Sequence, residues 1–381
     1  MKTKNVTYLS LGSNLGNRWV NLQRGLFLIQ QQLGKLENIS PVYENPSIGF
    51  EGEDFLNICI EAHTHLESQP LLEAISGIEK TLGRRRTTEK DYTSRTLDID
   101  IIYFNNDVIN TKTLIVPHSQ MHKRRFVLKP LSDIAPQLYH PIFKKDTRNL
   151  LQECRDKSML TKQATTLYAN RTELFAQTNF VTIEGTIGAG KTTLAKKIAA
   201  DYNAKLVLER FADNPFLPKF YEDPNRYALP LEMSFLADRY QQFTDDTSQF
   251  DLFKNFMISD YDIFKSLIFA KITLQKEEFE LYRKLFNFMY KEVKKPGIYV
   301  YLYQNTQRLL DNIKKRGRTY EQGIKADYLE KINRGYLDFI KSHPQQNSVI
   351  ISLEELDFVE SSKDYETILK QIEEKAVSMF F

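Results

Sequence analysis

The sequence predicts a protein of two domains, an α+β ferredoxin-like domain over residues 1–160 and an α/β domain with a parallel sheet over residues 179–381. The chain has 381 residues, which is more than one hydrophobic core normally fills. Its first part reads β-α-β-β-α-β, and its second part alternates strand and helix around a glycine-rich turn. Residues 161–178 are polar and are predicted to link the two domains.

Composition and charge restrict the class of protein. Hydrophobic residues make up 41% and charged residues 27%, as in ordinary globular proteins, and a net charge of +3 does not favour binding to nucleic acid. Cys59 and Cys154 have no neighbour at metal-ligand spacing, so both are predicted to be reduced thiols. Since the sequence has neither a signal-peptide pattern nor an apolar run of transmembrane length, we expect a cytoplasmic protein that binds no membrane.

The first domain opens with a strand and an amphipathic helix. Residues 6–11 form an apolar strand that closes on Gly12, and residues 18–33 repeat apolar side chains at helical spacing. The elements that follow are two strands at 39–43 and 55–62, an amphipathic helix at 70–82 and a strand at 97–104. This order is typical of a ferredoxin-like sandwich.

Two aspartates mark the last of these strands. Asp98 and Asp100 are two residues apart, and side chains alternate along a strand, so both carboxylates point to the same face. Two such carboxylates repel each other unless a cation lies between them, and beside arginines the natural occupant is Mg²⁺ that carries the phosphates of a nucleotide. When this spacing stands alone, an exposed acidic strand edge is its commoner meaning.

The segment Arg95-Thr96-Leu97-Asp98-Ile99-Asp100-Ile101-Ile102 resembles the signature of 6-hydroxymethyl-7,8-dihydropterin pyrophosphokinase, an enzyme of folate biosynthesis. The resemblance covers roughly residues 5–160, which is about the size of one domain. The other segments that carry it are Gly12-Ser13-Asn14-Leu15-Gly16, Tyr43-Glu44-Asn45-Pro46, Phe55-Leu56-Asn57, Ile78-Glu79, Gly83-Arg84-Arg85-Arg86, Val116-Pro117-His118 and Arg124-Arg125-Phe126.

The resemblance implies a role for each matching residue. Asp98 and Asp100 would hold the Mg²⁺ ions that bridge the ATP phosphates. Asn57 would bond the polar edge of the pterin, with Phe55 and Phe126 stacked on its ring faces. The residues that would contact ATP or steer its phosphates are Glu79, Arg84, Arg86, Arg95, His118 and Arg124, with Arg84 and Arg95 as catalytic groups. Pyrophosphoryl transfer needs metal and guanidinium groups to neutralise the charge that develops.

A glycine-rich segment organises the second domain. Gly185-Thr186-Ile187-Gly188-Ala189-Gly190-Lys191-Thr192 fits the P-loop pattern G-x-x-x-x-G-K-[ST], whose backbone N–H groups surround phosphate oxygens at a helix N-terminus. The lysine would reach the β- and γ-phosphates, and the threonine hydroxyl would ligate Mg²⁺. The predicted ATP-binding residues of this segment are Gly185, Gly188, Gly190, Lys191 and Thr192. The alternative is a chance glycine-rich turn.

The remaining elements of the second domain alternate between strand and helix. The strands are predicted at 180–184, 204–208, 256–261, 299–302 and 349–351, and the helices at 193–200, 228–243, 264–293, 306–315 and 365–379. This alternation indicates a doubly wound parallel sheet. Glu209 and Arg210 follow the second strand, at the carboxyl edge where such sheets bind ligands, although a surface ion pair is an equal alternative for them.

Residues 179–381 resemble the deoxynucleoside kinases. Besides the P-loop, the resemblance is carried by Glu209, Phe220-Tyr221-Glu222, Glu232, Asp238-Arg239, Asp260-Tyr261, Arg316-Gly317-Arg318 and Glu321-Gln322-Gly323-Ile324. It implies in-line transfer of the γ-phosphoryl group under a closing lid, and a homodimer through this domain. The implied roles are Glu209 as general base on the 5′-hydroxyl, Tyr221 and Glu321 on the sugar 3′-hydroxyl, Arg316 and Arg318 on the phosphates, and Asp260 with Thr192 at Mg²⁺.

The choice of nucleoside depends on Glu232, which stands where many deoxynucleoside kinases carry a base-reading glutamine, and Arg239 belongs to the same substrate-binding set. A carboxylate only accepts hydrogen bonds, and guanine offers N1–H and N2–H₂ as donors. The sequence therefore predicts a purine deoxynucleoside kinase that favours deoxyguanosine, with deoxyadenosine close behind. Asp260-Tyr261-Asp262 replaces the usual Glu-Arg-Ser of the family, so one arginine is missing.

Together the two resemblances predict a bifunctional ATP-dependent enzyme that acts on small molecules. In one alternative the P-loop domain senses nucleotides or mediates dimerisation without catalysing a reaction. In another it is a different P-loop kinase, such as a nucleoside monophosphate kinase. Glu209 and the lid arginines favour a catalytic domain, because a sensor needs no general base.

Overall fold

The computed structural model describes residues 4–47, 52–83, 94–210, 214–248, 253–318 and 321–381. The chain divides into two compact units, Met1–Arg171 and Thr172–Phe380, and each has its own sheet. Within the described ranges, no helix is both long and apolar enough to cross a membrane.

The first unit is built on an antiparallel sheet. Its strands are β1 (Asn5–Ser13), β2 (Gly34–Ile39), β3 (Tyr43–Asn45), β4 (Phe55–Thr64), β5 (Asp98–Phe104), β6 (Ile109–Asn110), β7 (Ile115–Val116), β8 (Tyr139–His140), β9 (Lys145–Asp146) and β10 (Thr161–Lys162). Its helices are α1 (Arg18–Gln32), α2 (Ser68–Thr81), α3 (Arg125–Ile134) and α4 (Thr147–Glu153). The main sheet has the order β10–β3–β4–β1–β5, and β2 also pairs with β4.

The central strands divide their side chains between two layers, because successive residues of a strand face opposite sides. Leu9, Ile58 and Ile99 lie in one core with the buried residues of α1 and α2. Cys59 faces the other way and packs in a second core with Val127 of α3. The sheet is therefore covered on both faces, with α3 on the side opposite α1 and α2.

The strand predicted at 39–43 is wrong, because β2 ends at Ile39 and β3 begins at Tyr43. Pro41 has no N–H to offer to a strand ladder. Ser40 bonds to Cys59 of β4 instead, donating its backbone N–H at 2.9 Å and accepting the Cys59 N–H on its hydroxyl at 3.0 Å. Ser40 and Pro41 therefore separate the end of β2 from the start of β3, where a single strand was expected.

The second unit has the predicted parallel sheet. Its strands are β11 (Phe180–Gly185), β12 (Lys205–Val207), β13 (Met257–Ser259), β14 (Ile298–Tyr303) and β15 (Ser348–Ser352), paired in the order β12–β13–β11–β14–β15. The helices are α5 (Arg171–Thr178), α6 (Lys191–Asp201), α7 (Leu217–Glu222), α8 (Pro224–Ser248), α9 (Lys265–Thr273), α10 (Lys276–Tyr290), α11 (Thr306–Arg316), α12 (Ala326–Ser342) and α13 (Ser362–Phe380).

Two differences from the predicted helices lie in the second half of this unit. The run at 264–293 is split, because Gln275 and Glu278 form a capping box that starts α10 as a separate helix. Helix α12 is absent from the predicted elements. It buries Leu329, Ile332 and Tyr336, whose helical spacing in the sequence could have identified it.

Candidate active sites

The aspartate pair of the first unit lies on β5 as the sequence predicts. Asp98 and Asp100 are half-buried and alternate with the buried Ile99 and Ile101, so both carboxylates share one face of the strand. Burial and the neighbouring Asp98 raise the pKa of Asp100, whereas the nearby His118, Arg124 and Arg95 oppose this rise. The two carboxylates therefore lie close enough together for Asp98 to destabilise the charge of Asp100.

Basic side chains surround this pair. Arg95 donates a hydrogen bond to Asp98, and Nη1 of Arg124 lies 3.7 Å from Oδ2 of Asp100. Burial lowers the pKa of the half-buried His118, and its backbone N–H donates to the carbonyl of Ile102 on β5 at 3.0 Å. The structure thus brings together these three predicted residues around the aspartates.

The turn after β1 holds the arginine that precedes β5. The side-chain oxygen of Asn14 accepts the Arg95 N–H at 2.7 Å, and the Asn14 N–H donates to the Arg95 carbonyl at 3.0 Å. Ser13 donates its hydroxyl to the Thr96 carbonyl at 2.6 Å. Sequence reasoning included Ser13 and Asn14 in a motif but gave them no role, because these contacts join segments that are about eighty residues apart.

Two of the predicted pterin-binding residues, Asn57 and Phe55 on β4, lie on the same face of the sheet as the aspartates. Gly12 on β1 is directly opposite both Asn57 on β4 and Asp98 on β5, and side chains of directly opposite residues share a face. A side chain on Gly12 would meet Asn57 Oδ1 at 3.0 Å and the Phe55 ring at 3.6 Å, so glycine lets these two side chains lie close to β1. Asn57 is buried and donates to the side chain of Asn45.

The other predicted residues of this unit have different surroundings. Phe126 is half-buried near the start of α3, with the Arg124 guanidinium 5.8 Å from its ring centre. Glu79 is buried and accepts the backbone N–H of Ile99 at 2.9 Å, so it ties α2 to β5. Arg84 and Arg86 lie outside the described residues.

In the second unit, the glycine-rich segment joins β11 to α6. Gly188 and Gly190 have φ angles of 87° and 90°, a region that side chains disfavour, and a Cβ on Gly188 would lie 2.9 Å from the Leu309 carbonyl. Lys191 begins α6 and donates to the carbonyls of Gly185 and Thr186 at 2.9 and 3.2 Å. Burial, and then the ammonium of Lys265, lower the pKa of Lys191 to about 8.

Asp260 connects the P-loop helix to the neighbouring strand. One of its carboxylate oxygens accepts a hydrogen bond from the Thr192 hydroxyl. The other accepts a hydrogen bond from the backbone N–H of Glu209 at 2.8 Å. Asp260 is buried, and its oxygens and the Thr192 hydroxyl are the kind of hard ligands that Mg²⁺ prefers.

Glu209 is held between two cations. Arg239 Nε donates to one carboxylate oxygen at 2.8 Å, and Lys265 Nζ donates to the other at 2.6 Å. Burial alone would raise the pKa of Glu209, but Lys265 and Arg239 outweigh it and lower the pKa to about 2. The carboxylate is therefore ionised at neutral pH. Each of its oxygens already accepts a hydrogen bond from a cationic side chain.

Lys265 is the site residue that sequence reasoning missed. The sequence around Lys265 gives little indication of a functional role, since a single lysine beside an aromatic residue is usually a surface residue. The side chain is 8% exposed, and it lies in the segment after Asp260 where the family's arginine is absent.

The lid residues bind one another. Gly317 ends α11 in the left-handed region with φ of 75°, and it is flanked by the two predicted arginines. Both donate to the buried Glu321, Arg316 to Oε2 and Arg318 to Oε1 at 3.2 Å. The carboxylate that was predicted to hold the sugar is thus occupied by the arginines that were predicted to hold phosphates.

Glu232 lies on α8 and is 2% exposed. Its Oε1 accepts the Thr273 hydroxyl at 2.9 Å, whereas Oε2 has no hydrogen-bond partner among the described residues. Burial raises the pKa of Glu232 to about 7, against the opposing effect of Arg239. The Arg239 guanidinium is itself buried, donates to Ser266 at 2.8 Å and lies 4.5 Å from the ring centre of Phe235.

One cavity of about 130 Å³ joins these groups. The predicted residues that line it are Lys191, Thr192, Glu209, Tyr221, Glu232, Arg239, Asp260, Arg316, Arg318 and Glu321. Within the described ranges, no group of three or more His, Cys, Asp or Glu side chains could hold a metal.

Two family models match the chain. The model described as "Deoxynucleoside kinase" matches residues 181–378. The model described as "7,8-dihydro-6-hydroxymethylpterin-pyrophosphokinase" matches residues 8–136.

Individual proteins resemble each part. The deoxyguanosine kinase of Bacillus subtilis (strain 168) is 35% identical over 202 residues, which are 52% of this chain and 98% of that protein. The 2-amino-4-hydroxy-6-hydroxymethyldihydropteridine pyrophosphokinase of the same strain is 40% identical over 136 residues, 35% of this chain and 80% of that protein. The solved structure of deoxyadenosine kinase from M. mycoides with bound dATP is 24% identical and covers 51% of this chain and 98% of that chain, with a TM-score of 0.45.

Proposed function

The chain belongs to the deoxynucleoside kinase family and to the 7,8-dihydro-6-hydroxymethylpterin-pyrophosphokinase family, and we propose from this how its two units act. It is a bifunctional enzyme with two ATP-dependent transfer activities. The observation that carries the kinase activity is the convergence of the P-loop lysine, Glu209 and the lid arginines on one cavity. The aspartate pair on β5 and its surrounding cations support the pyrophosphokinase activity.

In the first unit, the hydroxyl of 6-hydroxymethyl-7,8-dihydropterin attacks the β-phosphorus of ATP. A bond forms between that oxygen and the β-phosphorus, the hydroxyl proton passes to water, the bond from the β-phosphorus to the α-β bridging oxygen breaks, and AMP leaves. Arg95 and Arg124 neutralise the charge that develops on the phosphates, and His118 lies beside them. Asn57, Phe55 and Phe126 hold the pterin, a role supported for Asn57 by its place on the same sheet face as Asp98.

In the second unit, the 5′-hydroxyl of a deoxynucleoside attacks the γ-phosphorus of ATP in line with the leaving oxygen. Glu209 takes the hydroxyl proton, the bond from the γ-phosphorus to the β-γ bridging oxygen breaks, and ADP leaves. Lys191 holds the β- and γ-phosphates, and closing of the lid transfers Arg316 and Arg318 from Glu321 to the phosphates. Glu321 and Tyr221 are then available to the sugar 3′-hydroxyl.

Both sites fit Mg²⁺ as the ion that accompanies ATP. Asp98 and Asp100 would hold it in the first unit, and Asp260 with Thr192 in the second. When bound, it supplies positive charge that neutralises phosphate oxygens.

The favoured nucleoside is deoxyguanosine, followed by deoxyadenosine. Oε2 of the buried Glu232, which has no hydrogen-bond partner in the part of the chain that the structure describes, supports this preference, because an ionised carboxylate can accept both N1–H and N2–H₂ of guanine. The similarity to a protein named deoxyguanosine kinase supports the same choice.

Three further properties belong to this proposal. The strand order β3–β4–β1–β5 supports a ferredoxin-like fold for the first unit. The exposed apolar residues Leu281, Leu285 and Phe288 on α10 support a homodimer through the second unit. The buried, unpaired Cys59 and Cys154 support a cytoplasmic location.

The two activities are tested by their different products. Purified protein is incubated with ATP and each deoxynucleoside in turn, and separately with ATP and the hydroxymethyl dihydropterin. We expect ADP with the purine deoxynucleosides and AMP with the pterin. If AMP forms but no deoxynucleoside yields ADP, the proposed function of the second unit is wrong, and the reverse result overturns that of the first.

A further inference from the structure

Lys265 is a buried lysine in the wall of the kinase cavity. It is the first residue of α9, and its side chain is 8% exposed. Its ammonium lies 2.6 Å from Oε2 of Glu209 and 5.6 Å from the ring centre of Phe269. A lysine is seldom buried so far unless its charge is paired, because desolvation of an ammonium is costly.

Three cations, Lys191, Lys265 and Arg239, gather near the P-loop, where Glu184, Glu209 and Asp260 are the neighbouring carboxylates. Lys191 hydrogen-bonds to backbone carbonyls, and both Lys265 and Arg239 share the single carboxylate of Glu209. Lys265 lies close enough to Lys191 that the two ammonium groups repel each other. Two cations that line one cavity are stabilised when an anion enters between them.

The local sequence explains why this cation comes from α9. Tyr261 is fully buried and packs edge-to-face against Phe243 at 6.0 Å between ring centres, so it faces a core and supplies no charge to the cavity. Asp262 is also buried, and it caps the turn by accepting the N–H of Phe264 at 2.8 Å. Lys265 follows this turn directly and, beside Arg239, is the second cation that reaches Glu209.

We propose that Lys265 binds the γ-phosphoryl group of ATP and, in doing so, releases Glu209 to act as the base. When the phosphate enters beside Lys191, the Lys265 ammonium moves from Oε2 of Glu209 to a γ-phosphate oxygen, which the flexible lysine stem permits. Oε2 is then free to accept the 5′-hydroxyl proton, while Arg239 still holds Oε1. Binding of ATP thereby frees Glu209 to act as the base. This inference rests on the proposed deoxynucleoside kinase activity of this cavity.

The test compares binding of ADP with binding of an ATP analogue that has a methylene group between the β- and γ-phosphorus atoms. Dissociation constants are measured by calorimetry in the presence of Mg²⁺ and without nucleoside. Lys265→Met should weaken binding of the analogue at least about tenfold and binding of ADP by less than about threefold. Lys265→Arg should restore most of the lost affinity, and Lys271→Met, which changes an exposed lysine of the same helix, should change neither constant.

A second variant approaches the same contact from its partner and does not depend on the folding of Lys265→Met. Glu209→Gln removes the charge that competes for Lys265, so the analogue should bind more tightly relative to ADP than it does to the wild type. Equal changes for the two nucleotides in Lys265→Met, or an unchanged preference in Glu209→Gln, would overturn the inference. Failure of the wild type to phosphorylate any deoxynucleoside would instead overturn the proposed function, because these binding constants are measured without nucleoside.

Discussion

At the scale of single residues, Glu232 is buried, and its Oε2 accepts no hydrogen bond from the described residues. Its carboxyl is 2% exposed and its pKa is raised to about 7, so both protonation states are populated near neutral pH. The charged or titratable groups that face it are Arg239, Lys265, Tyr282 and Tyr328. An ionised Glu232 offers two acceptors, whereas a protonated one offers a donor and an acceptor, as a glutamine does.

The preference for the base should therefore depend on pH. Above the pKa of Glu232 the ionised carboxylate suits guanine, and below it the protonated form suits adenine, which pairs a donor at N6 with an acceptor at N1. We expect the ratio of kcat/KM for deoxyguanosine to that for deoxyadenosine to rise at least about threefold from roughly pH 6 to roughly pH 8. A ratio that stays flat or falls over this range would contradict the role of Glu232.

Substitution of the same residue gives an independent prediction. Glu232→Gln should lower the ratio of kcat/KM for deoxyguanosine to that for deoxyadenosine by about tenfold and remove its dependence on pH. Glu222→Gln, at an exposed glutamate of α7, is the matched control and should leave the ratio as in the wild type. Steady-state kinetics with both nucleosides provide the measurement, and an unchanged ratio in Glu232→Gln would show that another group reads the base.

At the scale of elements, the proposed catalytic arginine of the first unit, Arg95, is held by a contact between the turn after β1 and the segment just before β5. Asn14, after β1, exchanges two hydrogen bonds with Arg95, just before β5. Because the Asn14 side chain is buried, its removal would leave the Arg95 N–H without its acceptor. The orientation of Arg95 toward Asp98 depends on this contact.

Asn14→Ala should therefore impair the first activity and leave the second intact. We expect the rate of AMP formation with the pterin to fall at least about tenfold, since small displacements of a catalytic group are costly. The free energy of unfolding of this unit should fall by about 1–3 kcal/mol. Asn38→Ala, at an exposed asparagine of β2, is the control. A normal rate of AMP formation in Asn14→Ala would show that the turn does not position Arg95.

The sequence could predict those elements and residues whose signals are local. The P-loop, the aspartate pair and most strands follow from spacing and periodicity alone. The break at Ser40 depends on a contact with Cys59 on another strand, and the ion pair of Lys265 with Glu209 joins residues far apart in the chain. Such contacts form only when the tertiary structure brings the segments together. The role of Lys265 therefore could not be predicted from the sequence.

At the scale of the whole molecule, the proposed homodimer depends on an apolar face of α10. Leu281, Leu285 and Phe288 are 56%, 40% and 78% exposed, and their spacing places them on one side of the helix. Phe288→Glu should shift the protein from dimer to monomer in sedimentation velocity at micromolar concentration. Val108→Glu changes a 58% exposed apolar residue of the first unit and should not alter the sedimentation coefficient. A monomeric wild type, or a dimer that withstands Phe288→Glu, would contradict this interface.

The central claim is that one chain carries two separate transfer sites. It is tested most directly by measuring AMP formed with the pterin and ADP formed with deoxyguanosine for the wild type, Asp98→Asn and Glu209→Gln. Asp98→Asn should abolish AMP formation with ADP formation unchanged, and Glu209→Gln should do the opposite, each by at least about a hundredfold. If either substitution suppressed both products equally in folded protein, or neither product, the assignment of one activity to each unit would be contradicted.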